Sequence, residues 1–381
     1  MPSVPPIRPR TGARSVRMAS VTPTRPLARP AQGVARAKGI PVAPNTTITD
    51  VARESGVSAA TVSRILNGRH QGDPVTRDRV RATALALGYV PHGGARSLAT
   101  RRNGALGVLL PNLFGEFWVE FLRGIDDTSH EHGIHLLATS THADPVQLQN
   151  AAAAMRGRVD GYLIVAPGNR AADVITSLAQ TVPVVVVGVD ARACGAPSLM
   201  IDNAAGATAV AEHALSMGFR HLAMITGPET NGDAVARRDA FRAAIRNAGD
   251  DVTLTEFVGD FSQDSGWSAA HTMLAHPRRF EFCFACNDSM ATGAMSAFRD
   301  AGIRVPESLA IAGFDDVPMA RFLTPALTTV HVPIEEFGRR AIRMLISSVV
   351  KGAPSRCTVE LIPTTLIARG STVPEVRAQR G

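Results

Sequence analysis

The chain has 381 residues, enough for two or three domains with a substantial buried core. Hydrophobic residues make up 45% of it and the mean hydropathy is +0.06, as is common for globular α/β proteins. No run of about eighteen apolar residues offers a membrane span. The four cysteines are too few and too scattered for a disulfide framework, so we expect a reducing compartment, the cytoplasm, and no membrane partner.

Positive charge is concentrated at the N-terminal end of the chain, although the whole has a net charge of only +7. Residues 1–46 carry seven Arg, one Lys and no acid, a charge of +8, and residues 47–104 carry nine Arg against four acids, a charge of +5. The remaining 277 residues carry a charge of −6. This distribution indicates a nucleic-acid-binding head on a sensor or an enzyme, although a solvated basic tail would give the same local excess.

The first segment, residues 1–46, is rich in Pro, Arg, Ala and Ser and has no hydrophobic period. We predict a disordered basic tail. Its prolines and arginines leave no apolar stretch for a signal peptide. A transit peptide and a start of translation at Met18 or later both stay open as alternatives.

Residues 47–91 are predicted to form a helix-turn-helix head with a third helix. In TITDVARESGVSAATVSRIL we expect Ala52 and Val62 to face each other across a turn at Gly56, with Ser58 capping the second helix. Ile48 and Ile65 would close the ends of this contact. In DPVTRDRVRATALALGY the third helix would be capped by Asp73 or Thr76, and its buried stripe would hold Val80, Ala84 and Leu87.

The second helix of the head is predicted to leave one face free. Ala60 and Arg64 are four residues apart and share that face, with Ala59 beside them. Arg64 could hydrogen-bond to guanine in the major groove, and the alanine methyl groups could lie against thymine methyls. The alternative is an ordinary pair of surface helices, which the local positive charge disfavours.

From Ala105 onward, short Val/Ile/Leu runs alternate with amphipathic segments that end in Gly. Strands that are apolar throughout, joined by such helices, predict buried parallel sheets built from βαβ units. About 270 residues of this pattern suit two doubly wound lobes with a cleft at the carboxyl ends of the strands.

Beyond this pattern, the sequence resembles a known family from about residue 46 to 370. The stretch TITDVARESGVSAATVSRILNG, followed by VDGYLIVAP, IDNAAGA, GFRHLAMITG, CNDSMATGA and VPESLAIAGFDDVPMARFLTPALTTV, closely resembles the LacI/GalR (lactose-repressor) family of bacterial transcription regulators. The resemblance implies an all-α helix-turn-helix head at 47–91, a hinge helix or linker at 92–104, and an α/β periplasmic-binding-protein-like effector and dimerisation domain at 105–373, followed by a tail at 374–381.

The effector domain implied by the resemblance has two doubly wound parallel-sheet lobes. The N-terminal lobe would run from Ala105 to Met200 and include the helix after Pro333. The C-terminal lobe would hold Ile201 to Thr328 and the last strand, VELIPTTLIA.

The resemblance also implies which residues contact DNA. Ala59, Ala60 and Arg64 would read bases, while Thr61, Ser63 and Asn67 would contact phosphates or nearby bases. In the hinge, Ala95 and Arg96 would line the minor groove, and Leu98 would wedge between base pairs. The full predicted DNA-binding set is Ser58, Ala59, Ala60, Thr61, Ser63, Arg64, Asn67, Ala95, Arg96 and Leu98.

The effector-binding residues implied by the resemblance are Asn112, Phe114, Glu116, Phe117, Trp118, Arg237, Phe261, Asn287 and Asp315. Arg, Asn and Asp side chains offer donors and acceptors for vicinal hydroxyls, and Phe261 and Trp118 could stack on a sugar face, so a monosaccharide or small glycoside is favoured over a purine. Simpler roles stay open: Asn287 and Asp315 as strand-end caps, Arg237 as a surface residue, and both aromatic residues as core packing. Gly115 and Glu116 replace the usual Asn-Pro pair of the family, which would favour a polyhydroxyl or cationic ligand.

Other motifs carry less weight. Cys283 and Cys286 form a C-x-x-C pair on a predicted strand, where they would point to opposite faces. His130, His132, His135 and His142 lack a convergent ligand set for zinc. No phosphate-binding glycine loop and no nucleophile elbow is present, so we expect no cofactor, no metal and no enzymatic activity.

We therefore predict a ligand-responsive DNA-binding transcriptional regulator, with a repressor favoured over an activator. It would bind a near-palindromic double-stranded operator as a homodimer, with a tetramer still open, and sense a small sugar-like effector in the interlobe cleft. The rival interpretations are a solute-binding protein without a DNA role and an α/β enzyme acting on a sugar or nucleotide. The identity of the effector, its sign as inducer or corepressor, and the operator sequence stay open.

Overall fold

The computed structural model describes residues 46–66, 73–89, 102–166, 168–351 and 357–373. The chain divides into one unit within residues 1–90 and another within residues 91–381. Several sequence-based predictions lie outside the described residues. These are the disordered tail up to residue 45, Asn67, the hinge helix with Ala95, Arg96 and Leu98, and the tail at 374–381.

The first unit contains the predicted helix-turn-helix and a third helix. Its helices are α1 (Ile48–Ser55), α2 (Ala59–Leu66) and α3 (Pro74–Ala86). Helix α1 begins with a capping box, in which the Thr47 side chain accepts from the Asp50 N–H and the Asp50 side chain accepts from the Thr47 N–H. This reciprocal pairing satisfies two donors at a helix end that would otherwise be free.

The turn and the following helix starts also have local sequence causes. Gly56 has φ +69°, a left-handed conformation that ends α1 and starts the turn. The Ser58 Oγ accepts from the Thr61 N–H at 3.2 Å, so Ser58 caps α2 as predicted. Of the two candidates for the cap of α3, the structure selects Asp73, whose carboxylate accepts from the Thr76 N–H at 3.0 Å.

A small core holds the three helices of the head together, and the predicted contact between Ala52 and Val62 is part of it. Leu87 was predicted to be buried, and this prediction was wrong: it is 36% exposed, while Tyr89 packs against the core instead. Leu87 stands at the end of α3, where its N–H still donates to the Thr83 carbonyl at 3.0 Å, and Gly88, with φ +61°, then turns the chain so that Tyr89 reaches the core. The buried core residues are Val51, Ala52, Val62, Ile65, Val80 and Ala84.

The second unit alternates strands and helices, as the sequence predicted. Its described strands are β1 (Ala105–Leu110), β2 (His135–Ser140), β3 (Tyr162–Val165), β4 (Val184–Val187), β5 (Ser198–Ile201), β6 (His221–Thr226), β7 (Thr253–Val258), β8 (Phe282–Ala285), β9 (Ala310–Ala312), β10 (Thr329–His331), β11 (Val359–Ile362) and β12 (Thr365–Ile367). Its described α-helices are α4 (Glu116–Glu131), α5 (Pro145–Met155), α6 (Ala172–Ala179), α7 (Asn203–Ser216), α8 (Gly232–Asn247), α9 (Gln263–Leu274), α10 (Asp288–Asp300) and α11 (Ile334–Lys351).

Two parallel sheets form the two lobes of this unit. The N-terminal lobe has a six-stranded sheet in the order β11-β5-β4-β3-β1-β2, and the C-terminal lobe has a four-stranded sheet in the order β7-β6-β8-β9. Every residue of β1, β3 and β4 is buried, which explains why these strands are apolar throughout. The predicted doubly wound α/β architecture with two lobes is confirmed.

The last strand of the chain departs from the prediction, which put VELIPTTLIA in the C-terminal lobe. The structure splits it into two strands. β11 pairs in parallel with β5, with Glu360 opposite Leu199, and so belongs to the N-terminal lobe. β12 pairs with β10 in a separate antiparallel ribbon. Pro363 lies between the halves and has no N–H with which to continue a ladder, so the strand breaks there.

Candidate effector cleft and DNA-recognition surface

A cavity of about 1030 Å³ lies between the two lobes, at the carboxyl ends of their strands. Asn112 follows β1, and Phe261, Asn287 and Asp315 follow β7, β8 and β9. Because the carboxyl ends of parallel strands meet at one edge of a sheet, residues that are distant in sequence converge here. The structure brings all nine predicted effector residues to this one cavity: Asn112, Phe114, Glu116, Phe117, Trp118, Arg237, Phe261, Asn287 and Asp315.

Arg237 is held rigidly at the base of the cleft. It lies on α8 and is only 4% exposed, so its alternative role as a surface residue is wrong. Its Nε donates to Asn203 Oδ1 at 2.7 Å, and its Nη1 donates to the Cys286 carbonyl at 2.7 Å. The same Nη1 lies 3.1 Å from Asp315 Oδ1, and the guanidinium carbon sits 3.7 Å from the centre of the Phe314 ring. These contacts fix the guanidinium in a single orientation.

Asp315 combines burial with an unusual backbone. Its φ is +113°, a conformation that L-residues rarely adopt, and it is 5% exposed. Its Oδ1 faces Arg237 as an ion pair but accepts no hydrogen bond of good geometry. Burial raises the pKa of Asp315 to about 6, with Arg237 acting in the opposite direction and Asp233 adding to the rise. Strained residues of this kind cluster at ligand sites because the surrounding fold must hold them in place.

The sequence did not predict Asp233, which lines the cavity, or Asn203, which supports it from behind. Asn203, 4% exposed, uses its Oδ1 for Arg237 and donates from Nδ2 to Asp233 Oδ1 at 2.7 Å, so it bridges the two charged groups. Burial raises the pKa of Asp233, while Arg237 and Asn203 lower it. The motif IDNAAGA contains Asn203, which was the available signal, but residues at helix starts look like simple caps in a sequence.

Asn287 caps a helix and lines the cleft at the same time. Its Oδ1 accepts from the Met290 N–H at 2.9 Å at the start of α10, and its Nδ2 donates to the Phe261 carbonyl at 3.1 Å. The cap role is therefore real, and it fixes the amide beside the cavity. Phe261 itself has φ +74°, a second strained position at the same edge.

Asp288, the next residue, is buried beneath the cleft and was also missed. It accepts from the Thr329 hydroxyl at 2.5 Å and from the Val317 N–H at 2.9 Å. Burial raises its pKa well above the usual value, with Asp315 adding to the rise. These bonds connect the start of α10 to the strand β10 and to the segment after Asp315, so they position the cleft wall rather than face a ligand.

The N-terminal lobe contributes the opposite wall. Asn112 Oδ1 accepts from the Phe114 N–H at 2.8 Å, which shapes the loop after β1 and leaves Phe114 82% exposed. Glu116 begins α4, and its Oε2 accepts from the Met319 N–H at 3.2 Å, a contact across the cleft.

Phe117 and Trp118 both line the cavity and also pack against the hydrophobic core. Their rings meet edge to face with centroids 5.0 Å apart, and Trp118 contacts Phe121 in the same way at 6.1 Å. Trp118 therefore packs against the core, as the alternative prediction had it, and also forms part of the cleft wall. An aromatic ring anchored in this manner offers a rigid apolar surface.

The head presents the predicted free face of α2. Ala60 and Arg64 are exposed, and the Arg64 Nε donates to the Ala60 carbonyl at 3.3 Å. Ala59 is half-buried because it packs against the core of the head. Thr61 is half-buried and shares a 2.9 Å hydrogen bond with Ser58, and Ser63 is half-buried.

Cys283 and Cys286 are completely buried under the cleft. Burial raises the pKa of both thiols, that of Cys286 to about 12, so both stay protonated at neutral pH. Across the part of the chain that the structure describes, no group of three His, Cys, Asp or Glu side chains is arranged to hold a metal ion.

Comparisons with known proteins agree with this architecture. Residues 47–92 match the model of bacterial regulatory proteins of the lacI family, and residues 211–372 match the periplasmic binding protein-like domain. The ribose operon repressor of Escherichia coli is 33% identical over 330 residues, which cover 85% of this chain and 99% of that protein. The HTH-type transcriptional repressor PurR of Pectobacterium carotovorum is 31% identical over 331 residues, 85% of this chain and 96% of that protein.

Solved structures give the same result. The lac repressor dimer bound to operator and the anti-inducer ONPF is 25% identical, with a TM-score of 0.78, and the match covers 86% of this chain and 99% of that chain. A helix-turn-helix head and a two-lobed binding domain in one chain define a regulator of transcription that responds to a ligand. The chain belongs to the lacI family of bacterial regulatory proteins.

Proposed function

We propose that this protein is a ligand-responsive repressor that binds a near-palindromic operator as a dimer and senses a small sugar-like molecule between its lobes. The observation that carries the proposal is the presence of both parts in one chain. An exposed Ala60–Arg64 face lies on a helix-turn-helix, and a buried Arg237–Asp315 pair lies in an interlobe cleft. The relatives that match along 85% of the chain are named as repressors, so a regulator is favoured over an enzyme.

On the head and hinge, all ten residues that the sequence assigns to DNA contact, Arg64 among them, stay predictions. The exposure of Ala60 and Arg64 supports them, because side chains that read bases must project from the helix. We propose that Arg64 contacts a guanine and that Ser58 and Thr61, at the helix start, lie near the phosphate backbone. A two-fold dimer would read the same half-site twice, which explains the expected near-palindrome.

In the cleft, the chemistry favours a polyhydroxyl ligand. Arg237, Asp315 and Asn287 supply fixed donors and acceptors, and Phe261 and Trp118 supply ring surfaces along the same cavity. A few fixed polar groups in a largely apolar pocket set ligand orientation. Among similar proteins, one is named the ribose operon repressor, and a solved structure is titled a CelR–cellobiose complex, 27% identical with a TM-score of 0.64.

The switch would work by linkage between the two sites. A ligand held between the lobes stabilises one lobe arrangement, and the lobe arrangement sets whether the paired heads engage both half-sites. A coupling of about 1–3 kcal/mol is enough for a usable switch. The described part of the chain has no helix long and apolar enough to cross a membrane, and we propose that the protein acts in the cytoplasm, where its operator lies.

The test has two parts. Duplexes selected from a random library by the purified protein should share a near-palindromic motif, which fluorescence anisotropy then measures against a scrambled duplex. Thermal melting against sugars, polyols, glycosides and purines identifies the ligand class, because binding to the folded state raises the melting temperature. Absence of any sequence preference would favour the solute-binding alternative, and stabilisation by a purine but by no sugar would overturn the cleft assignment.

A further inference from the structure

Three passages of the chain join the two lobes of the second unit. They run from β5 to α7, from β10 to α11 and from β11 to β12. Helix α7 packs with α8 and the β10–β12 ribbon, whereas α11 packs on β3 and β4 of the N-terminal lobe. Lobes that are joined by a few crossings can rotate about them as bodies. The width of the cleft therefore depends on the contacts that its facing rims make with each other.

The first rim contact joins Glu116 of the N-terminal lobe to Met319 of the C-terminal lobe. Glu116 Oε2 accepts from the Met319 N–H at 3.2 Å, although the two residues are 203 positions apart in the chain. Both of them line the cavity. Met319 lies in a short 3₁₀ helix, Pro318–Phe322, that follows β9, so this hydrogen bond spans the mouth of the cleft.

The start of this 3₁₀ helix has no side-chain cap from its own lobe. Val317 precedes it and makes no cap hydrogen bond, and Pro318 has no N–H to donate. The Met319 N–H is thus the first donor of the helix, and its acceptor has to come from elsewhere. Glu116 supplies that acceptor from the other lobe, and a carboxylate is a stronger acceptor than a neutral oxygen. This cap can form only while the two rims lie together.

The second rim contact is made by backbone alone. Gly168 follows β3 in the N-terminal lobe, and Thr230 follows β6 in the C-terminal lobe. A Cβ atom on Gly168 would lie 2.7 Å from the Thr230 carbonyl oxygen, which is closer than such atoms can approach. Gly168 has φ −172°, an extended conformation that any residue adopts. Glycine is therefore needed at this position for the close approach of the two lobes and not for its backbone freedom.

The two contacts bound the same space, because Glu116, Met319 and Thr230 all line the one interlobe cavity. Each lobe is a sheet covered by closely packed helices, and close-packed bodies deform little when they move. A displacement that separates Gly168 from Thr230 should therefore also pull Glu116 away from Met319.

We propose that Glu116 is a latch, whose carboxylate binds the Met319 N–H and holds the lobes closed, while Gly168 lets the opposite rim close to backbone contact. A molecule that enters or leaves the cleft has to release this latch. The latch therefore sets the population of the open cleft and, through it, the concentration at which an effector fills the cleft. That consequence rests on the proposed function, whereas the latch itself is a property of the lobes alone.

The experiment is amide hydrogen exchange of the full-length protein, read at the single Met319 amide, because exchange of a bonded N–H reports how often its bond opens. Glu116→Ala removes the acceptor and should speed this exchange by about tenfold. Glu116→Gln keeps an oxygen acceptor and should restore most of the protection. The control is Glu131→Ala at the exposed end of α4, which should change nothing. Unchanged exchange in Glu116→Ala, or an equal change in the control, overturns the proposal.

A variant on the opposite rim separates a latch from a local helix cap. Gly168→Ala places a Cβ atom against the Thr230 carbonyl, so the rims have to part, and exchange at Met319 should rise by at least about threefold. Gly232→Ala, at the exposed first residue of α8, is the control and should leave Met319 unchanged. If Gly168→Ala also leaves Met319 unchanged, Glu116 is only a local cap and the latch is disproved. No operator or effector enters these measurements, so their failure leaves the proposed function intact, whereas loss of sequence-specific duplex binding would remove the proposed function itself.

Discussion

The Arg237 guanidinium lies 3.1 Å from the Asp315 carboxylate, with the two side chains 5% and 8% exposed. The pair joins α8 to the segment after β9 at the base of the cleft. A buried ion pair adds little net stability, because the loss of hydration offsets much of the attraction. The pair instead holds the guanidinium donors of Arg237 and the carboxylate acceptor of Asp315 in fixed positions beside the cavity.

Removing one partner of this pair should be costly. Arg237→Met leaves the Asp315 carboxylate buried and unpaired, and we expect the free energy of unfolding to fall by about 3–5 kcal/mol. Urea titration followed by circular dichroism measures the loss. The control is Arg246→Met on the exposed end of α8, which should change stability by less than about 0.5 kcal/mol. Equal stability of Arg237→Met and wild type would contradict the prediction.

The Asp315 carboxyl should also shape the pH dependence of stability. Burial raises its pKa from the usual 3.8 to about 6, so between these values the folded protein binds more protons at this site than the unfolded chain does. Its contribution is therefore fully present below about pH 4 and is lost as the pH rises through about 6. The difference in unfolding free energy between wild type and Asp315→Asn should fall over this range by up to about 3 kcal/mol and then stay constant. A flat difference from pH 4 to 7 would show that the pKa is not raised.

The nine residues that line the cavity were predicted from the family resemblance, and topology explains why those that follow strands converge there. In a doubly wound fold the strand ends meet at one edge, whichever side chains they carry. The Asn203–Asp233 contact was not predictable in the same way. Both residues sit at the starts of helices, where a sequence pattern indicates a cap, and their 2.7 Å contact depends on how α7 and α8 approach each other.

Local stereochemistry explains the two corrections to the fold. Leu87 is the last residue with helical backbone in α3, and the positive φ of Gly88 just after it brings Tyr89 to the core instead. The hydrophobic pattern of VELIPTTLIA reads as one strand, yet the proline at its centre divides it between two sheets. In both cases a single residue with restricted or special backbone geometry overrides a periodic signal.

Substituting Arg64 tests directly whether α2 of the head reads bases. Arg64→Ala should weaken binding to the selected operator by about 1–3 kcal/mol and relax the preference for one base pair in each half-site. Anisotropy titrations with the operator and with a duplex altered at single positions measure both effects. Arg53→Ala removes another exposed charge, this one from α1, where Arg53 pairs with Asp50, and should not change base preference. A uniform loss of affinity for all duplexes with Arg64→Ala would assign this side chain to phosphate contact instead.

The basic segment that precedes the head should add non-specific affinity. Residues 1–45 carry seven Arg and one Lys and no acid, and each phosphate that such a cation neutralises steepens the dependence of binding on salt by about 0.9 in a log–log plot. Deleting residues 1–45 should therefore flatten this slope. The deletion retains Thr46, because its hydroxyl donates to the Leu87 carbonyl at 2.8 Å. Titrations between 50 and 200 mM salt, roughly the range over which such effects are large, provide the measurement. An unchanged slope would show that the segment makes no phosphate contacts.

Helices α4 and α11 pack so closely that glycine is required at the contact. A Cβ atom on Gly338 would overlap the Phe121 carbonyl, and one on Gly124 would overlap the Glu335 carbonyl. Gly338→Ala should therefore destabilise the protein by about 1–3 kcal/mol, even though alanine favours a helix by about 1 kcal/mol over glycine. The control is Gly232→Ala at the exposed first residue of α8, where the same replacement should be neutral or slightly stabilising. Chemical denaturation compares the two variants, and a Gly338→Ala protein at least as stable as wild type would mean that the helices can separate without cost.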